Sequence, residues 1–176
     1  MKSPNWTVWM HDRKECKFWL DQYIKKKIIR KSTDDFRLYL RKSDHNLNFA
    51  GWVFEQQNEL KSIFNETFYD WVINIYYYAI YHSAMSLMSK EGFTSKSHSA
   101  TLCYLIYYHH GNKLNDSDVH LIARSLATED IEVIGFSKEL RERASYGVHE
   151  SFEKNLTLQI QEQAREFTNK IKLLLE

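Results

Sequence analysis

Between Glu139 and Glu150 the chain reads Glu-Leu-Arg-Glu-Arg-Ala-Ser-Tyr-Gly-Val-His-Glu, which brings Arg141, Arg143, Tyr146 and His149 close together in sequence. Arginine offers a rigid fork of N–H donors matched to phosphate oxygens, and it stays charged at any working pH. Histidine takes up or releases a proton near neutrality. These residue types suffice to cleave RNA without a metal. A base removes the 2′-hydroxyl proton, an acid protonates the departing 5′-oxygen, and arginine steadies the charge that grows on phosphorus. One copy of the segment holds a single histidine, whereas the reaction uses a base and an acid. A twofold dimer with both copies at its seam supplies two histidines and up to four arginines, so any activity is expected from a homodimer. In the competing reading, Arg141 and Arg143 pair with Glu139, Glu142 or Glu150 at the surface, and His149 sits in a mobile loop.

Other chemistry finds less support. His109 and His110 are adjacent, so on a helix they point about 100° apart, too far to share an ion. No His-x-x-x-His spacing with a nearby acid occurs, and metal ligation is not expected. The chain has no glycine-rich phosphate loop, nucleophile elbow or dinucleotide fingerprint, and no cofactor is expected. His82, set among Tyr77, Tyr78, Ala79, Tyr81 and Met85, reads as a hydrogen-bonded core histidine. Cys16 and Cys103 match no metal spacing and no disulfide framework. They are expected to act as small apolar residues in a reducing, cytoplasmic setting. The most apolar window, residues 71–88, contains Asn74, His82 and several Ser and Tyr, which does not suit a membrane span.

A scaffold must hold these groups. The chain has 176 residues, one proline, Pro4, and five glycines. So few breakers predict long helices, and no stretch sustains the two-residue alternation of a strand. Aromatics form 15 % of the sequence, eleven of them tyrosine, so ring packing should dominate the core. A helix is expected over residues 12–30 with Asp12 as cap. A second follows Ser32 or Thr33, with a stripe of Phe36, Leu40, Leu47, Ala50 and Phe54 in which Ser43 fills one gap. Gly51 marks close helix approach or simple tolerance. Phe64 to Lys90 should form the central helix, with Gly92 as its stop. Further helices are expected over 95–108, 116–126 and 136–146, and a last one from about Asn155. The fold class is all-α, an up-and-down helical bundle of four to six helices.

Charge divides the chain. Residues 1–31 hold nine Lys/Arg against three Asp/Glu, and the rest hold fifteen against twenty. A basic arm bearing Trp6, Trp9, Phe18, Trp19 and Tyr23 could track a nucleic-acid backbone and stack on bases. The reading preferred on sequence alone is a helix with a solvated lysine face and its aromatics packed on the body. Residues 1–31 are accordingly set apart as a basic, aromatic N-terminal helical extension, with the bundle over residues 32–176.

Several ordered blocks carry a family resemblance. Tyr77-Tyr78-Ala79-Ile80-Tyr81-His82-Ser83-Ala84, then Gly92 and Lys96-Ser97-His98-Ser99-Ala100, resemble the HEPN family of prokaryotic helical domains. Tyr39 to Ala50 looks like that family's first core helix, Leu140 to Tyr146 its Arg-x-x-Ala-Asp-Tyr segment, and Ala164 to Phe167 part of its last helix. The resemblance implies a helical bundle that dimerises, often beside a small nucleotidyltransferase-like partner in toxin–antitoxin pairs. It also implies metal-independent ribonuclease activity through an Arg-x(4–6)-His motif, which Arg143 and His149 satisfy as catalytic residues. Arg141 and Tyr146 are then substrate- or nucleotide-binding residues. In the other register Arg141 takes the motif arginine's place, Tyr146 stands where the histidine would be, and Ser145 replaces the aspartate. That register implies a non-catalytic module that holds a nucleotide or partners a nucleotidyltransferase.

Overall fold

The computed structural model describes residues 4–127 and 149–176. The chain runs through α1 (Trp6–His11), α2 (Arg13–Lys25), β1 (Ile29–Lys31), α3 (Phe36–Glu55), α4 (Gln57–Phe64), α5 (Tyr69–Lys90), β2 (Phe93–Ser95), α6 (His98–His109), α7 (Asp116–Ala127) and α8 (His149–Leu175). It is an all-α bundle, as the scarcity of breakers predicts. The expected helix over 136–146 lies outside the described residues.

Local chemistry sets the ends. Asp12 accepts hydrogen bonds from the backbone N–H groups of Lys14 and Glu15 at 2.9 and 3.0 Å, so it caps α2 as expected. The helix stops at Lys25 rather than reaching residue 30. Lys27 turns the chain with φ 57, and β1 then pairs antiparallel with β2, Ile29 opposite Ser95 and Lys31 opposite Phe93. Strands of three residues are too short to show alternation in the sequence, so the ribbon leaves no periodic signal there. Asp35, not Ser32 or Thr33, caps α3 through the Arg37 N–H at 3.0 Å. Ser32 instead accepts from the Asp34 N–H at 3.1 Å, holding the turn that precedes the cap. Gly92, at φ 80, does stop α5 and lets the chain reverse into β2.

The expected central helix is shorter than Phe64 to Lys90. Asn65, left-handed at φ 57, ends α4 and separates it from α5. Within α5 burial changes along the length. Val72, Tyr76, Ala79 and Ile80 face inward while Trp71 and Tyr78 stay exposed; from Ser83 to Ser89 every residue is buried. α5 packs against α3, α6, α7, α8 and β2, which places it at the centre of the bundle. α1 and α2 pack on α6, and Trp9, Cys16, Leu20, Tyr23 and Ile29 belong to the same core cluster as Ile80, Leu105 and Ile171. Trp6 meets His120 of α7 edge-on at 5.0 Å, so α1 touches the body at a second point.

Where α3, α5 and α8 meet, the core is polar. Ser43, which fills a gap in an apolar stripe, donates to the Ala79 carbonyl at 2.8 Å. Its hydroxyl lies 2.8 Å from Ser83 and 3.3 Å from Thr168, and Ser83 donates to Thr168 at 3.0 Å. All three side chains are fully buried. Burying a hydroxyl costs free energy unless it is bonded, so the three satisfy one another and fix how the helices sit. On the other side α2 crosses α6 through sulfur. Cys16 and Cys103 are buried with their Sγ atoms 3.9 Å apart, each near the other's carbonyl oxygen at 3.5 and 3.4 Å. The sequence spacing of 87 residues gave no sign of this pairing. The Cys103 thiol is pushed up, first by its hydrogen bond with Cys16 and then by burial, so it stays protonated.

Candidate functional site

Of the residues read from sequence as the site, Arg141, Arg143 and Tyr146 lie outside the described residues. His149 lies in α8, which is already helical six positions before the expected start at Asn155.

The helices leading into and out of residues 128–148 enclose a cleft of about 600 Å³. α7 lines it with His120 and Arg124, and α8 with Gln163, Glu166 and Lys170. Lys170 donates to Asp118 at 2.5 Å and ties the two helices together at one end. Asp118 also accepts from the Asn115 N–H at 2.7 Å while Asn115 accepts from the Asp118 N–H at 2.9 Å, a reciprocal lock on the start of α7. The cleft carries charges of both signs, with Arg124 exposed on its α7 wall.

A second cluster forms around His82, where three of the blocks quoted above converge. Its ring lies 5.5 Å from Tyr81, 6.4 Å from Tyr78 and 6.4 Å from Tyr39 of α3. Tyr81 in turn meets His98, the first residue of α6, edge-on at 5.2 Å. The expectation of a hydrogen-bonded core histidine needs correction. His82 is half-buried, and its Nδ1 is buried with no hydrogen-bond partner among the described residues. Burial, and secondarily the Lys42 ammonium, lower its pKa to about 4, so the ring is neutral at pH 7. A neutral imidazole can accept a proton, and rings around it can flank a planar group. The spacing of Tyr78 and His82, one helical turn, was legible in the sequence; the approach of Tyr39 and His98 was not.

Glu91, at the end of α5, gathers a third cluster. Tyr104 donates to it at 2.7 Å, Lys113 stands 3.5 Å away and His109 Nε2 lies 3.4 Å away. The last separation is long, and neither ring nitrogen of buried His109 makes a well-formed hydrogen bond. Burial lowers the His109 pKa against the opposing pull of Glu91, and burial followed by Glu91 raises that of Tyr104. His110 points to a different acid, Asp116, at 2.7 Å. No group of three or more potential metal ligands occurs among the described residues. Among them also, no helix is long and apolar enough to cross a membrane.

These features define a helical bundle with a hydroxyl-lined seam and an aromatic–histidine cluster beside it. No family model matches the chain. It is similar to a "UPF0332 protein" of Archaeoglobus fulgidus, 24 % identical over 139 residues, which spans 79 % of this chain and 94 % of that protein.

Proposed function

We propose that the protein is a HEPN-type ribonuclease of a toxin–antitoxin or defence system, acting without a metal as a homodimer. His149 of one protomer removes the 2′-hydroxyl proton, and the 2′-oxygen attacks the adjacent phosphorus. His149 of the partner protonates the departing 5′-oxygen, leaving a 2′,3′-cyclic phosphate. Arg143 steadies the charge on the phosphoryl oxygens, Arg141 assists on phosphate, and Tyr146 contacts the nucleotide. The observation that carries this reading is that the HEPN-like blocks among the described residues fall on α3, α5, the start of α6 and α8. The sequence spacing of Arg143 and His149 supports it. A small nucleotidyltransferase-like protein is the expected partner.

The test is degradation of single-stranded RNA by the purified chain in EDTA. His149→Ala and Arg143→Ala should each lower the rate at least about a hundredfold, the scale of losing a proton-transfer group. Light scattering should show the same dimer for both variants. Cleavage that survives His149→Ala sinks the assignment. Ser145 and Tyr146 favour a second reading, in which Arg141 holds the motif position and the dimer binds a nucleotide or a nucleotidyltransferase without cutting. Nucleotide binding by calorimetry, with no RNA cleavage under any condition, would establish that reading instead.

A further inference from the structure

The first thirty-one residues have a charge arrangement that packing does not explain. All three of their acids are engaged locally. Asp12 caps α2, Glu15 accepts from the Trp19 indole N–H at 3.1 Å, and Asp21 pairs with Lys17 at 2.6 Å. Arg13 lies over the Tyr107 ring at 4.4 Å. Lys14, Lys25, Lys26, Lys27, Arg30 and Lys31 remain, exposed and without a carboxylate partner among the described residues.

Helical geometry aligns them. At 3.6 residues per turn, Lys14, Phe18 and Lys25 share one face of α2, over a rise of about 16 Å. Cys16, Leu20 and Tyr23 occupy the opposite face and are buried in the core. Phe18 is 53 % exposed, with its ring edge-on to Trp19 at 5.7 Å, and Asp21, already paired with Lys17, shares this face. Lys26 and Lys27 follow in the turn, and Arg30 and Lys31 are exposed on β1, on opposite faces of the strand. Because Ile29 pairs with Ser95, Lys96 falls one register position beyond, level with residue 28, and it too is exposed. Asp34 and Asp35 end the stripe.

Phosphates on a flexible strand suit a row of unpaired cations, and an exposed ring among them offers a stacking platform. A helix that lies on a membrane would instead present a broad apolar face, which this surface lacks. We propose that the outward face of α2, the Lys25–Lys27 turn and β1 bind single-stranded RNA, with the lysines and Arg30 on phosphates and Phe18 stacked on a base. This surface is independent of whether Arg143 and His149 cut anything.

The experiment is fluorescence anisotropy of a labelled twelve-nucleotide uridine RNA with the full chain carrying His149→Ala, in EDTA, from 50 to 200 mM KCl. That background separates binding from cleavage. Replacing Lys25, Lys26 and Lys27 by Gln should weaken binding about tenfold or more and make the slope of log K against log[KCl] shallower by about 2, for three phosphates released. Phe18→Ala should weaken binding at least about fivefold and leave the slope unchanged. Lys61→Gln, on α4, should change neither. Circular dichroism melts establish that each variant is folded. The proposal is overturned if the parent chain binds no RNA, or if the triple variant and Phe18→Ala bind as the parent does. It is equally overturned if phosphatidylserine vesicles retain the chain and RNA does not compete.

Discussion

The crossing of α3, α5 and α8 and the crossing of α2 and α6 both have buried centres, yet those centres are held by opposite chemistry. At the first, Ser43, Ser83 and Thr168 meet within 3.3 Å of one another, and Ser43 also reaches the Ala79 carbonyl. At the second, Cys16 and Cys103 meet sulfur to sulfur at 3.9 Å among apolar neighbours. A buried hydroxyl tolerates few arrangements because an unbonded one costs free energy, so the first crossing specifies a register. A thiol is a weak donor and acceptor that loses little when unpaired, so the centre of the second crossing is held chiefly by burial, and its hydroxyl bond, Tyr23 to Ser99 at 2.8 Å, is only partly buried. The bundle therefore has one seam whose centre fixes geometry and another whose centre only adheres.

The most severe way to break the first seam is Ser83→Leu. Three helices close on a site with no accessible surface, and the larger side chain also removes a bonded hydroxyl. A loss of about 3 kcal/mol is expected in urea unfolding followed by circular dichroism, at the upper end for overpacking. A loss below about 1 kcal/mol would mean that the seam relaxes freely and does not fix the register.

A smaller effect should separate the two seams by the order of two substitutions at Cys103. Cys103→Ala removes a buried sulfur and should cost about 1 kcal/mol. Cys103→Ser should cost more, about 2 kcal/mol, because it places a hydroxyl among apolar neighbours. The Cys16 carbonyl, 3.4 Å from the present sulfur, would be out of easy reach of the shorter C–O bond. Serine proving better than alanine in the same unfolding experiment would show that the centre of this crossing, too, is polar.

The sequence showed these two regions unequally. The helical class, the cap at Asp12 and the stop at Gly92 follow from local residue types, and the structure has them. The ribbon of β1 and β2 escaped because its strands are three residues long and pair across the whole length of α3 and α5. Ser43 was visible only as a gap in an apolar stripe, since its partners lie 40 and 125 residues away. The cysteine contact was invisible for the same reason, being long-range and without a motif. Of the candidate site, the resemblance to a family and the spacing of Arg143 and His149 were legible. The half-buried, neutral state of His82 was not, because it depends first on burial by the folded bundle and then on Lys42 arriving from another helix.

The mildest substitution tests how closely the register-fixing seam is packed. Gly51 in α3 reads from sequence either as a close-approach point or as a tolerated glycine. A Cβ there would meet Arg165 Nη2 at 3.8 Å, Tyr76 Oη at 3.9 Å and Gln161 Nε2 at 4.0 Å, all ordinary contacts. The hydroxyls of Ser43, Ser83 and Thr168, rather than a missing side chain, then set the spacing of α3 and α8. Gly51→Ala should stabilise the chain by about 0.5–1 kcal/mol, the helix-interior gain from restricting the unfolded backbone. A longer residue would push on Gln161, which donates to Tyr76 at 2.5 Å, so the gain should vanish at Gly51→Leu. Destabilisation by alanine itself would show that α3 and α8 touch more closely than these distances allow, and would move control of the register from the hydroxyls to the glycine.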